Sequence, residues 1–279
     1  MSHIINFSAG PSILPKVVFE EASQAVLNLN GTGLSILEVS HRSAYFEPIL
    51  HEAMALVREL LGLPDDYEVM FLSGGASTQF FMSVMNLLPE GKKAAYVDTG
   101  VWSSKAIHEA KMIASIEVIA SSKDKNYSYI PKGFDISPDF EYLHTTSNNT
   151  IYGTQYQSWP DSSIPMVCDM SSDIFSKPIE PHRFGMIYAG AQKNLGPAGV
   201  TLVIVRKDML GKINKTLPTM LRYETHIQNE SMYNTPPVFP IYVSMLTLRW
   251  LKNLGGLGVM QQMNERKARH VYDIIDSIP

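Results

Sequence analysis

Two residues of this sequence stand where a charge needs a partner or a task. Asp169 closes the apolar run Pro165-Met166-Val167-Cys168. Lys193 follows Ile187-Tyr188-Ala189-Gly190-Ala191-Gln192 and precedes Asn194-Leu195-Gly196-Pro197-Ala198-Gly199. A charge at the end of a buried strand is costly unless it is paired or used. An amine there can form a Schiff base with an aldehyde, and a carboxylate can keep a ring nitrogen protonated. Pyridoxal phosphate calls for both, because its protonated ring draws electrons from the α-carbon as the substrate proton leaves. For either residue alone, a loop-capping Asp or a surface Lys is the commoner explanation; the two together point to this cofactor.

A third feature fits an anion. Ser73-Gly74-Gly75-Ala76-Ser77-Thr78-Gln79 lies between a strand-like run and a helical one. Small residues let backbone approach a phosphate, and the first N–H groups of a helix carry partial positive charge. The segment is neither a dinucleotide fingerprint nor a Walker loop, and taken alone it is also what a tight strand-to-helix connection looks like. Trp102 lies just after Asp98-Thr99-Gly100, where a flat side chain could stack on a pyridine ring. A core role is the plainer reading of a single Trp.

The bulk composition narrows the field. The chain has 279 residues, 45% hydrophobic and 18% charged, which describes a globular protein with a sizeable core. A net charge of −4 argues against a general nucleic-acid binder. The single cysteine, Cys168, allows neither an intrachain disulfide nor a cysteine-based zinc site, and no metal is expected. The start Met-Ser-His-Ile-Ile-Asn-Phe does not read as a secretory signal, and no run approaches the ~20 apolar residues of a membrane span. The expected setting is cytoplasmic. The 15 methionines read as core filler.

The elements that must position these residues follow from periodicity. Helices are predicted after Pro15 (Val17, Val18, Ala22, Ala25, Val26, Leu29), over Glu47–Leu61 with Gly62 as stop, and over Ser77–Leu88. Strands are predicted at Val69–Leu72, Ala94–Val97, Ile116–Ile119, Tyr142–Thr146, Met166–Cys168, Met186–Ala189 and Thr201–Val205. Interleaved strands and helices with little period-two alternation imply an α/β fold, its mostly parallel sheet covered on both faces. Functional groups then gather beyond the carboxyl ends of strands. Lys123–Tyr129 reads as a polar surface loop. Gly255-Gly256 reads as a hinge before an amphipathic helix through Met260, Met263, Val271, Ile274 and Ile275. His51, His108 and His144 sit in ordinary contexts and receive no role.

From Asn6 onward the chain resembles the phosphoserine aminotransferases of the fold-type-I, class V pyridoxal-phosphate enzymes. The resemblance rests on Asn6-Phe7-Ser8-Ala9-Gly10-Pro11, Val39-Ser40-His41-Arg42-Ser43, Gly74-Gly75-Ala76-Ser77-Thr78-Gln79, Ser147-Asn148-Asn149-Thr150-Ile151-Tyr152-Gly153, Ala191-Gln192-Lys193-Asn194 and Asn234-Thr235-Pro236-Pro237. It implies that Lys193 carries the cofactor and moves the substrate proton. Asp169 would pair with the ring nitrogen, Trp102 would stack on the ring and Thr150 would bond its phenolic oxygen. Ala76, Ser77 and Gln192 would hold the cofactor phosphate, joined by Asn234 and Thr235 of a neighbouring subunit, which implies a homodimer with shared sites. Arg42 and His41 match substrate-phosphate contacts, for which a planar guanidinium and a tunable donor are chemically suited; a structural, hydrogen-bonded role is the alternative for His41.

The implied reaction moves an amino group from L-glutamate to 3-phosphohydroxypyruvate in serine biosynthesis, with a possible role in pyridoxine biosynthesis. Ala9 stands where many relatives carry Ser. By the same resemblance, residues 1–15 associate with a small domain, 16–254 form the large cofactor-binding domain, and 255–279 begin the C-terminal small domain. The sequence stops before that domain's substrate-binding Arg and His-Arg motifs, so the chain is expected to be C-terminally truncated, to bind the cofactor and to transaminate poorly. Two other readings stand beside this one. A serine–pyruvate-type class V enzyme gives His41-Arg42 no purpose, and a dimeric cofactor-binding fragment would have little activity. A cysteine desulfurase fits poorly, because Cys168 belongs to a buried strand.

Overall fold

Strand residues such as Val69-Met70-Phe71-Leu72 are apolar throughout because each face of the sheet is covered. In the computed structural model, which describes residues 4–278, Val69 and Phe71 enter one core while Met70 and Leu72 enter the other. Met1, Ser2, His3 and Pro279, which the 1–15 and 255–279 segments include, lie outside the described residues.

Among the described residues the strands are β1 (Tyr67–Leu72), β2 (Lys93–Asp98), β3 (Ile116–Ser121), β4 (Phe140–Thr146), β5 (Asn148–Asn149), β6 (Thr154–Gln155), β7 (Met166–Asp169), β8 (Phe184–Gly190) and β9 (Thr201–Arg206). The helices are α1 (Lys16–Leu27), α2 (Glu47–Leu61), α3 (Gly75–Leu87), α4 (Val101–Ile113), α5 (Tyr223–Gln228), α6 (Val238–Asn253) and α7 (Gly256–Asp276). Seven strands form one sheet in the order β1-β9-β8-β7-β4-β2-β3. The β3-β2-β4-β7-β8 block is parallel, and β9 runs against both β8 and β1. Two reversals restore direction, so β1 ends at the same sheet edge as β2, β4, β7 and β8. This is the α/β class with a mostly parallel sheet.

Helices α1, α2 and α6 cover one face; α3, α4 and Tyr223 of α5 cover the other. Helix α2 stops at Gly62, whose φ of 61° is the left-handed conformation that ends helices at little cost in glycine. Its outer side is tied to α6 by Arg249, which grips Glu52 with Nε and Nη2, both at 2.8 Å. Helix α7 buries Leu257 and rests Met260 on the core, while Val271, Tyr272, Ile274 and Ile275 are exposed. No helix among the described residues is long and apolar enough to cross a membrane.

The second core holds an unexpected polar centre. His144 is fully buried, stacks on Tyr96 at 4.6 Å between centroids, and has Nε2 2.8 Å from the Tyr188 hydroxyl. Burial pushes its pKa from 6.5 down to about 3, so the native chain keeps it neutral where the unfolded chain protonates. Stability is therefore lost as pH falls from 6.5 toward 3, by about 1.4 kcal/mol per pH unit from this group. His144→Gln is expected to flatten that acid limb in urea-unfolding midpoints measured across pH.

Candidate active site

The sheet edge where β1, β2, β4, β7 and β8 all end gathers the residues singled out by the sequence. The loop after β1 brings Ala76 and Ser77; that after β2 brings Trp102. Thr150 follows β4, Asp169 closes β7, and Gln192 and Lys193 follow β8. Asp169 lies beside Thr146 and Tyr188 in register.

Lys193 sits in a turn whose backbone is pinned from the N-terminal segment. The Ser12 N–H donates to the Gln192 carbonyl at 2.9 Å, and the Ser12 hydroxyl donates to the Lys193 carbonyl. Gly10 lies against the lysine stem: an added Cβ would come within 3.0 Å of Lys193 Cγ. The amine donates to Thr150 Oγ1 at 2.7 Å. Loss of surrounding water lowers its pKa, and the negative charges of Asp169 and Asp173 push the other way.

Asp169 is 5% exposed. Its Oδ1 accepts from the Ser171 N–H at 2.9 Å and the Ser171 hydroxyl at 2.6 Å. Among the described residues Oδ2 has no hydrogen-bond partner. Burial is the main force raising its pKa to about 6, against the bonds from Ser171. Asp169 and Lys193 form no direct ion pair, yet each feels the other's charge.

At the start of α3, Gly74 and Gly75 have φ of 101° and 69°, and a Cβ on Gly75 would meet nothing within 4 Å. The free N–H groups of the first turn, with Ser77 exposed, thus open onto clear space suited to an anion. A Cβ on Gly74 would come within 2.8 Å of Thr78 Cβ and 2.1 Å of its Oγ1, which bonds the Gly74 carbonyl at 2.8 Å. Gly74→Ala is expected to lose about 1–2 kcal/mol of stability and to weaken anion binding at this turn; thermal melts with and without pyridoxal phosphate check both. On the opposite wall the Gln192 amide folds back against Gly190, where a Cβ would sit 2.6 Å from Oε1.

Trp102 occupies the first turn of α4, one face under Lys105 Nζ at 4.7 Å from the centroid. The Ser103 hydroxyl accepts from the Thr99 and Gly100 N–H groups at 2.8 and 2.9 Å, fixing where this turn begins. Thr150 projects from the β5–β6 hairpin, which the sequence reading treated only as a motif. Asn149 braces that hairpin by donating to Thr154 Oγ1 at 3.2 Å.

The remaining candidates come from other segments of the chain. Arg42 is exposed, and His41 Nε2 is buried without a hydrogen-bond partner. Asn234 donates to the carbonyl of Thr235 at 3.2 Å, and Thr235 is exposed. No hydrogen bond among the described residues joins these four to Lys193. Cys168 is buried, its thiol pushed well above its ordinary pKa by burial, which makes it a poor nucleophile. Ser171 and Asp173 were missed by the sequence reading, although the run Asp169-Met170-Ser171-Ser172-Asp173 packs hydroxyls and a second carboxylate beside the first.

The chemistry of this donor set fits pyridoxal phosphate: a partly desolvated amine, a buried carboxylate with one free oxygen, an aromatic wall and a glycine-opened helix start. Comparison with known proteins agrees. The model of the aminotransferase class-V family matches residues 4–279. A phosphoserine aminotransferase of Flavobacterium psychrophilum is 58% identical over 272 residues, covering 97% of this chain and 76% of that protein. The solved phosphoserine aminotransferase from Bacillus circulans subsp. alkalophilus superposes with a TM-score of 0.94 at 50% identity, over 98% of this chain and 76% of that one. A pyridoxal-phosphate-bound phosphoserine aminotransferase from Trichomonas vaginalis gives a TM-score of 0.94 at 38% identity, over 98% and 82%. The chain thus spans about three quarters of the first relative's length.

Proposed function

We propose that this chain, which belongs to the class-V aminotransferase family, is a phosphoserine transaminase. It transfers the amino group of L-glutamate to 3-phosphohydroxypyruvate, yielding 2-oxoglutarate and O-phospho-L-serine. The observation that carries this reading is the Lys193–Thr150 pair at the sheet edge where the buried Asp169 carboxylate also ends its strand, in a chain 58% identical to a phosphoserine aminotransferase.

Pyridoxal phosphate, when bound, supplies an aldehyde for an amine and a ring that accepts the electron pair left as the substrate's α-proton departs. Lys193 holds and moves that proton. Its lowered pKa lets the amine give up its own proton more readily than a free lysine does, and Thr150 fixes its direction. Asp169 offers Oδ2 to the ring nitrogen and stabilises the proton there. Trp102 covers the ring. The backbone of Ala76, the backbone and hydroxyl of Ser77, and Gln192 take the cofactor phosphate.

Asn234 and Thr235 reach that phosphate from a second copy, so the working form is a homodimer with shared sites. Arg42 and His41 take the substrate phosphate, the first as a planar fork and the second through the unpartnered Nε2. The reaction runs in the cytoplasm. Residues 16–254 form the cofactor-binding domain, and residues 1–15 with 255–279 belong to a small domain. An assay of the purified chain with pyridoxal phosphate, glutamate and 3-phosphohydroxypyruvate tests the reading. Formation of O-phosphoserine supports it, and equal turnover with unphosphorylated pyruvate would contradict it.

A further inference from the structure

After Asp169 the chain turns through Met170-Ser171-Ser172-Asp173, and Asp173 carries a second carboxylate. One of its oxygens accepts from the Ser147 hydroxyl, the other from Gln155 Nε2 at 2.9 Å. Ser147 directly follows β4 and Gln155 closes β6, so the two donors flank the hairpin that presents Thr150. The Ser147 hydroxyl also lies 3.0 Å from the Asp169 carbonyl. That carbonyl also receives the Ser147 N–H at 3.0 Å, and the single hydroxyl proton goes to the stronger acceptor, the Asp173 carboxylate.

Ser172 adds a second stitch, accepting from Asn148 Nδ2 at 2.9 Å and donating to the Asn148 carbonyl at 3.0 Å. Both strands of the hairpin are thereby tied to the loop that follows Asp169. Burial raises the Asp173 pKa, against the hydrogen bonds from Ser147 and Gln155. A carboxylate kept there at such a cost, with neutral donors on both oxygens, has a geometric task.

We infer that Asp173 is a positioning residue: by bridging Ser147 and Gln155 it sets where Thr150 stands relative to Lys193 and Asp169. This deepens the proposed function and rests on it. The task belongs to the hydrogen bonds rather than the charge. An amide of the same shape can accept from Ser147 and donate to Gln155 once the Gln155 amide rotates. A 1 Å displacement of a positioning group is enough to weaken a site substantially.

The test compares Asp173→Ala and Asp173→Asn in the whole chain. Asp173→Ala is expected to weaken pyridoxal phosphate binding about tenfold, the effect of losing hydrogen bonds to a charged group, and Asp173→Asn to restore it. Without cofactor, amide exchange over residues 148–155 is expected to quicken in Asp173→Ala and to return to normal in Asp173→Asn, with exchange in β1 unchanged. Unaltered cofactor affinity in Asp173→Ala overturns the inference. So does a failure of Asp173→Asn to rescue, or faster exchange throughout the chain, which would make the residue a general support. If the unsubstituted chain forms no borohydride-reducible adduct with pyridoxal phosphate, the proposed function itself falls, and this inference with it.

Discussion

Lys193→Ala is expected to leave the chain folded, to remove the borohydride-reducible adduct with pyridoxal phosphate, and to slow amino transfer on the order of 10⁴-fold or more. The size follows from the loss of two tasks at once. The amine that anchors the cofactor is gone, and so is the base beside the α-carbon. Binding through Ser77 and Asp169 would survive in weaker form, because those groups come from α3 and β7 rather than from the Lys193 turn. The structural loss is small: the side chain is partly exposed and its amine makes one hydrogen bond, to Thr150, so stability should change by about 1 kcal/mol. Intact-mass analysis after borohydride treatment reads the adduct directly, since only a chain with the reactive amine gains the mass of the reduced cofactor. An undiminished adduct in Lys193→Ala would place the reactive amine elsewhere. A small added amine should recover part of the lost rate, because it can do the proton transfer without the tether.

Much of the sheet was legible in the sequence, and the reason is physical. Strands buried on both faces, such as Met186–Ala189 and Leu202–Val205, are apolar along their length, so they stand out as short uninterrupted runs. Asp169 was conspicuous for the same reason, as a charge ending such a run. Helix α6 was not read, because it too is buried nearly all round: Ile241 through Leu248 are buried without a break, leaving no polar face to give it a period. The first turn of α3 begins at Gly75, two residues earlier than periodicity suggested, since glycine contributes no side chain to the pattern. Lys123–Tyr129 looked like a polar surface loop, yet Tyr127 is buried and donates to Asp98 Oδ2 at 3.0 Å. His144 receives no role from the sequence, Ser147 only a place in a motif and Asp173 none, because their meaning comes from partners distant in sequence. Tyr188 and Gln155 supply it, and only the fold brings them near.

The cost of keeping Asp169 buried leads to an opposite pair of effects in Asp169→Asn. In the chain without cofactor, Asp169 binds its proton more tightly than the unfolded chain does, with a pKa of about 6 in place of 3.8. Its contribution to stability is therefore fully present below the unfolded value and is lost as pH rises through 6. At pH 8 the shift corresponds to about 3 kcal/mol of destabilisation. An amide carries no charge to desolvate, and its oxygen can keep the bonds from Ser171. Asp169→Asn should then raise the stability of the cofactor-free chain at pH 8 by about 1–3 kcal/mol, the lower figure allowing for an amide NH₂ left without a partner. The gain should vanish near pH 4. Between pH 4 and 6 the substitution should also expose the loss caused by His144, which Asp169 opposes in the unsubstituted chain. Catalysis should fall on the order of 10³-fold, because an amide cannot hold a proton on the ring nitrogen. Cofactor binding stabilises whichever chain binds it more tightly, so saturating pyridoxal phosphate should reverse the order of melting temperatures at pH 8. A carboxylate held at this site for chemistry predicts that crossing; a carboxylate that merely caps a loop predicts a destabilised variant with and without cofactor.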